Sequence, residues 1–150
     1  MGWPVIGDTA KMKIEDAKVL LVDDDKVMRM FVGNLLARLG VRQVSEAADG
    51  HAGLALIGSF APDVILSDIH MAPLDGIEFV KKLRSHPVAS LRNIPVLFMS
   101  ADTGSATLSD TALLGNTGYM AKPPALELLK VKLERALKFR SAQEPGFDAK

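Results

Sequence analysis

Apolar and polar positions fall into blocks along this chain. Short, continuously apolar runs stand at 18–22 (KVLLV), 63–68 (DVILSD) and 94–101 (IPVLFMSA), with weaker versions at 42–47 (RQVSEA) and 117–121 (TGYMA). An apolar run without alternation predicts a strand covered on both faces, as in a parallel sheet. Between these runs lie longer segments whose apolar residues recur every three or four positions. In 25–40, Met28, Phe31, Val32, Leu35 and Leu39 keep helical spacing and Gly40 supplies a stop. Segments 49–62, 75–87 and 107–115 read as the next three helices, with Pro62 and Pro87 closing the first two of them and Asp75 opening the second. Segment 123–140 is a strong fifth helix, opened by prolines and carrying Leu126, Leu129, Leu133 and Leu137 as its buried stripe. The fourth helix is different. Its sequence, TGSATLSDTALLG, has low intrinsic helix propensity, which predicts a short or mobile element over 103–115.

Five strands alternating with five helices predict an α/β fold: a doubly wound parallel sheet with right-handed crossovers and helices on both faces. Residues 1–16, broken by Pro4, Gly7 and Asp8 and carrying Trp3, read as an N-terminal extension. The domain is expected over 17–140, with a turn-rich C-terminal tail at 141–150.

Composition narrows the classes. Hydrophobic residues make up 48% of 150 positions, enough for one domain with a real core. Eighteen basic residues balance eighteen acidic ones, so no global field draws the chain to nucleic acid or to an anionic membrane. The absence of cysteine removes disulfides and thiolate metal sites. No apolar run approaches spanning length, and the N-terminus lacks the pattern of a signal peptide. A cytoplasmic location is expected.

In a sheet of this kind, ligands bind beyond the carboxyl ends of the strands. The first strand ends in Asp23-Asp24-Asp25, the third in Asp68, the fourth in Ser100, and the fifth leads into Lys122-Pro123. Several acids, a hydroxyl and an ammonium thus converge on one edge. Clustered carboxylates repel one another unless a cation joins them, and an all-oxygen set suits Mg²⁺ with retained waters and phosphate oxygens. The combination predicts phosphoryl transfer with a carboxylate as nucleophile.

The pieces VLLVDDD, PDVILSDIHMAPLDG, IPVLFMSA and GYMAKP, in this order, resemble the CheY-like receiver domain of bacterial two-component response regulators over residues 17 to 139. The resemblance implies a flavodoxin-like five-stranded sheet of order 2-1-3-4-5. It implies Asp68 as phosphoacceptor, with Asp23, Asp24, Asp68 and the backbone carbonyl of His70 around Mg²⁺. Ser100 is then the switch hydroxyl, Lys122 the phosphoryl partner and Tyr119 the aromatic that reports the phosphorylated state. His70 and Asp102 flank the phosphoryl group and would tune attack by water, and the Lys122–Pro123 bond would be cis. The implied protein is a phosphoacceptor rather than an enzyme. Its partners would be a sensor histidine kinase or histidine phosphotransfer protein and a downstream protein target, engaged through the fourth helix, fifth strand and fifth helix. Phosphoryl shuttle and phosphate sink are alternatives of the same chemistry.

A second resemblance, to haloacid-dehalogenase-like phosphatases, rests on DDDKV, with Asp23 as nucleophile and Asp25 as acid/base. It leaves Asp68 and DIHMAPLDG unused and lacks a later acidic pair on a strand end. The receiver pattern has its own departures: Ala72 precedes Pro73 where Met-Pro is usual, and Pro124 stands where an aromatic is common.

Overall fold

A computed structural model of the chain describes residues 12–101 and 114–142. The apolar runs form β1 (Lys18–Val22), β2 (Gln43–Ala47), β3 (Val64–Asp68), β4 (Val96–Ser100) and β5 (Thr117–Ala121). All pairings are parallel, in the order β2-β1-β3-β4-β5. This is the flavodoxin-like order. β1, β3 and β4 are interior strands and are buried almost throughout, which is why they read as unbroken apolar runs. β2 lies at an edge and is half exposed, which explains its weak pattern.

Alternate side chains along each strand face opposite sides. Val19, Leu21, Leu66, Leu97 and Met99 enter one core with helix α1 (Lys26–Arg38) and the C-terminal helix (Leu126–Ala142). Leu20, Val22, Ile65, Val96 and Phe98 enter a second core with α2 (Gly50–Phe60) and α3 (Gly76–Arg84). Leu129, Leu133 and Leu137 are buried as the stripe predicts, and Leu126 packs at its margin. In α1 the buried face is rotated from the expected one. Val32, Leu35 and Leu36 are buried, whereas Phe31 is 42% exposed beside Val27 and Met30. Ile14, within the stretch read as extension, is buried in the first core.

Helix ends follow local chemistry. Asp25, Asp49 and Asp75 cap α1, α2 and α3 by accepting backbone N–H bonds in the first turn. α2 ends at Ala61 in the left-handed region, just ahead of Pro62. The C-terminal helix begins at Leu126, after both prolines rather than at them. A helical turn at Ala89–Arg92, which periodicity does not reveal, precedes β4. The fourth predicted helix lies mostly over 102–113, outside the described residues, as does Asp102.

Arg84, in the last turn of α3, knits the far side of the sheet together. Its guanidinium donates to the carbonyls of Arg92 (2.9 Å) and Ile94 (2.7 Å) ahead of β4. It also donates to Leu114 (3.1 Å), Gly115 (2.8 Å) and Asn116 (3.2 Å) ahead of β5. Burial pushes its pKa down to about 10, which leaves it charged at neutral pH. Asn116 Nδ2 adds a bond to the carbonyl of Asn93 at 3.0 Å.

Candidate functional site

The carboxyl ends of β1, β3, β4 and β5 bring together Asp23, Asp68, Ser100 and Lys122, although almost a hundred residues separate the first from the last. Asp23 and Ser100 are fully buried and Asp68 nearly so, while Asp24 is exposed at the rim. Parallel register sets the spacing, since Asp68 lies opposite Met99 and Ser100 opposite Ala121. The carbonyl of Ser100 also accepts the N–H of Lys122 at 3.0 Å, extending the β4–β5 ladder by one residue into the site.

Lys122 is the hub. Its Nζ lies 2.9 Å from Asp23 Oδ2 and 3.0 Å from Asp68 Oδ2. The Lys122–Pro123 peptide is cis, as the family pattern implies. Each acid is held from its other oxygen by backbone: Asp23 Oδ1 accepts from Asp25 N (2.8 Å), and Asp68 Oδ1 accepts from Ile69 N (2.8 Å). Burial pushes the Asp68 carboxyl above the usual carboxylate range; Lys122 opposes this, and the charge of Asp23 adds to it. Burial by itself lowers the pKa of Lys122, yet the two carboxylates outweigh it and hold the ammonium above its ordinary value.

The arrangement suits a divalent cation. One carboxylate oxygen from each of Asp23, Asp24 and Asp68 lies within 4.8 Å of the others. Mg²⁺ takes hard, anionic oxygen ligands and keeps waters in its remaining positions, so the chemistry of these three carboxylates fits it. Asp23 Oδ2 is buried and meets the Lys122 ammonium without a well-directed hydrogen bond, leaving acceptor capacity for a cation. His70 is exposed two residues beyond Asp68, beside this cluster in sequence. Tyr119, on β5, is half-buried and packs at the margin of the second core. Asp25 faces away, its Oδ1 bonded to the N–H groups of Val27 (2.9 Å) and Met28 (3.2 Å).

Two supports escape sequence reasoning. Arg29, one turn into α1, donates to the carbonyl of Asp23 and pairs with Glu46 at 3.1 Å, tying the acidic loop to β2. An arginine after DDDK is a weak signal, because most such residues are solvated. Gly76, the first residue of α3, sits directly against the backbone of Asp68. A Cβ there would overlap the Asp68 carbonyl and lie 2.9 Å from Ile69 Cα, and Gly76 N already donates to the Ile69 carbonyl at 2.8 Å. The Asp75-Gly76 dipeptide was the available cue. The loop between them contains a second cis bond, Ala72–Pro73, at the position where the sequence leaves the family pattern.

Residues 19–134 match the family described as response regulator receiver domain. The chain is 33% identical over 118 residues to the chemotaxis protein CheY of Pseudomonas aeruginosa, covering 79% of this chain and 94% of that protein. It is 33% identical over 121 residues to chemotaxis protein CheY-3 of Vibrio cholerae, covering 81% and 92%. Among solved structures, the chemotaxis protein CheY4 of Vibrio cholerae superimposes with a TM-score of 0.73 at 36% identity, covering 81% of this chain and 98% of that one.

Proposed function

The chain belongs to the response regulator receiver family of two-component signalling, and from that premise we propose that Asp68 accepts a phosphoryl group from a phosphohistidine. The observation that carries the reading is the single ammonium of Lys122 touching both Asp23 and Asp68. A carboxylate oxygen of Asp68 attacks phosphorus, the P–N bond to the donor imidazole breaks, and its electron pair stays on that ring. The product is an acyl phosphate.

Asp23, Asp24, Asp68 and the carbonyl of His70 would hold Mg²⁺, which when bound offsets negative charge on the phosphoryl oxygens. The chain's own residues do the rest. Lys122, already within reach, transfers one of its contacts from carboxylate to phosphoryl oxygen. The Ile69 N–H and the seat on Gly76 keep the Asp68 backbone fixed as its side chain gains charge. Ser100, buried one strand over, turns its hydroxyl toward the new dianion. Tyr119 on the adjacent strand moves inward into the space released, and this shifts the population of the face made by the fourth helix, β5 and the C-terminal helix. His70 and Asp102 adjust self-catalysed loss of the phosphoryl group to water.

The upstream donor is a sensor histidine kinase or a histidine phosphotransfer protein, and the output is binding to a protein target, all in the cytoplasm. No described helix is long and apolar enough to cross a membrane. Acetyl phosphate with Mg²⁺ supplies the test. One phosphoryl group should appear on the intact protein by mass spectrometry and be absent from Asp68→Asn. Label mapped to Asp23, with turnover of phosphate esters, would overturn the reading in favour of the phosphatase chemistry.

A further inference from the structure

At the opposite edge of the sheet from Lys122 lies a groove of about 760 Å³. The segment entering β1 (Met12 to Glu15), the end of α1 (Arg38, Leu39) and the C-terminal helix (Lys130, Glu134, Arg135, Lys138) form its walls. Its floor is apolar, since Met12 and Leu39 are half-buried and Ile14 belongs to the first core. Its rim is basic. Among the described lining residues, five cations (Lys13, Arg38, Lys130, Arg135, Lys138) face two acids (Glu15, Glu134), in a chain whose formal net charge is zero. Among the described residues, Lys13, Arg38, Lys130 and Lys138 form no ion pair. Unpaired cations of one sign gathered over an apolar floor repel one another unless a partner of opposite charge covers them.

We propose that this groove docks an acidic, amphipathic peptide segment of a partner protein, independently of phosphorylation. The volume holds several side chains, within the range of specific binding clefts. Charge complementarity selects carboxylates for the rim, and the apolar floor selects aliphatic side chains between them. A single-stranded nucleic acid fits less well, because the described lining residues include no aromatic ring for stacking and Glu15 and Glu134 interrupt the basic track. The location argues for independence from Asp68. Lys130 to Lys138 lie roughly 6 to 18 Å down the axis of the C-terminal helix from its first residue, and the opposite wall precedes β1 rather than following it. Such a site would tether the receiver to its partner while the acidic edge stays open to the phosphodonor.

The probe is a short fluorescein-labelled peptide with glutamate and leucine at helical spacing, titrated by anisotropy and mapped by amide chemical shifts. Shifts should cluster on residues 12–15, 38–39 and 130–138. The double variant Lys130→Glu, Lys138→Glu should weaken binding by about tenfold, and Lys130→Gln, Lys138→Gln by less. Both variants should melt as the parent does and take phosphoryl from acetyl phosphate at the parent rate. Phosphorylating the parent should change peptide affinity by less than about twofold. The proposal is overturned by shifts that map elsewhere, by unchanged affinity in the double variant, or by equal binding of a peptide with serine for leucine. Tighter binding of an RNA oligonucleotide of the same charge overturns it in favour of a nucleic-acid surface.

Discussion

Arg84 is where a single substitution should cost the fold most for its apparent plainness. The guanidinium has no carboxylate partner among the described residues, and backbone carbonyls hold it instead, those of Arg92, Ile94, Leu114, Gly115 and Asn116. Arg84→Met keeps much of the stem but removes every donor. A hydrogen bond to a charged group contributes ~1.5–3 kcal/mol, and its loss is felt most where water cannot replace the donor. The bonds to Arg92 and Ile94 are part-buried and short, whereas those to Gly115 lie nearer solvent and are more easily rehydrated. Counting the two inner bonds in full and the rest as replaced by water gives a loss of roughly 3–6 kcal/mol. That is a large share of the ~5–15 kcal/mol that holds a domain of this size. The midpoint of thermal unfolding should fall by roughly 10–15 °C, read by far-ultraviolet circular dichroism, with a matching shift in urea. Arg84→Lys keeps the charge but offers a point donor in place of a planar fork, so it should recover about half the loss. If Arg84→Met costs less than ~1 kcal/mol, or Arg84→Lys melts with the parent, the carbonyl clamp does not hold the two turns together and the reasoning fails.

Gly76→Ala puts a Cβ against the backbone of Asp68 and Ile69, which cannot swing aside as a side chain would. It should cost at least ~3 kcal/mol in urea melts and slow phosphorylation by acetyl phosphate, while a silent variant would mean that α3 can back away from the loop. Because burial raises the pKa of Asp68, the folded chain keeps that proton at a pH where the unfolded chain has released it. This group therefore weakens folding progressively as pH rises from its ordinary value of 3.8 through its folded pKa. In EDTA, Asp68→Asn should be more stable than the parent at neutral pH, and the gap should shrink on acidification; a less stable Asn variant at pH 7 contradicts the sign. Asp25→Ala removes the cap of α1 and should cost ~1 kcal/mol by denaturant melts while leaving acetyl phosphate labelling intact. Loss of labelling there would give Asp25 a part in the chemistry.

The strands were readable because interior parallel strands bury both faces, so β1, β3 and β4 print as apolar runs with polar residues only toward their ends. Their polar ends were readable for the same reason, since a change from apolar to acidic marks the point where the strand leaves the sheet. Asp23, Asp68, Ser100 and Lys122 came from that boundary alone, and the parallel topology brings them together. Arg84 and Arg29 were not readable. Each sits among other charged residues on a helix, and only long-range geometry shows that one reaches carbonyls thirty residues away and the other the carbonyl of Asp23. Phe31 misled because three- and four-residue spacing defines a stripe only to within one neighbour. Leu36, not Phe31, points at the sheet. The turn at Ala89–Arg92 is too short to leave a period.

Lys122 directly follows β5, an outer strand of the sheet and the last described strand. The acids it bridges, Asp23 and Asp68, belong to the first half of the chain. A polypeptide stopped short of residue 122 lacks the ammonium that joins them, and it also lacks Leu129, Leu133 and Leu137, which complete the first core. The charge balance of the acidic edge and the closing of the core therefore wait on the same C-terminal stretch.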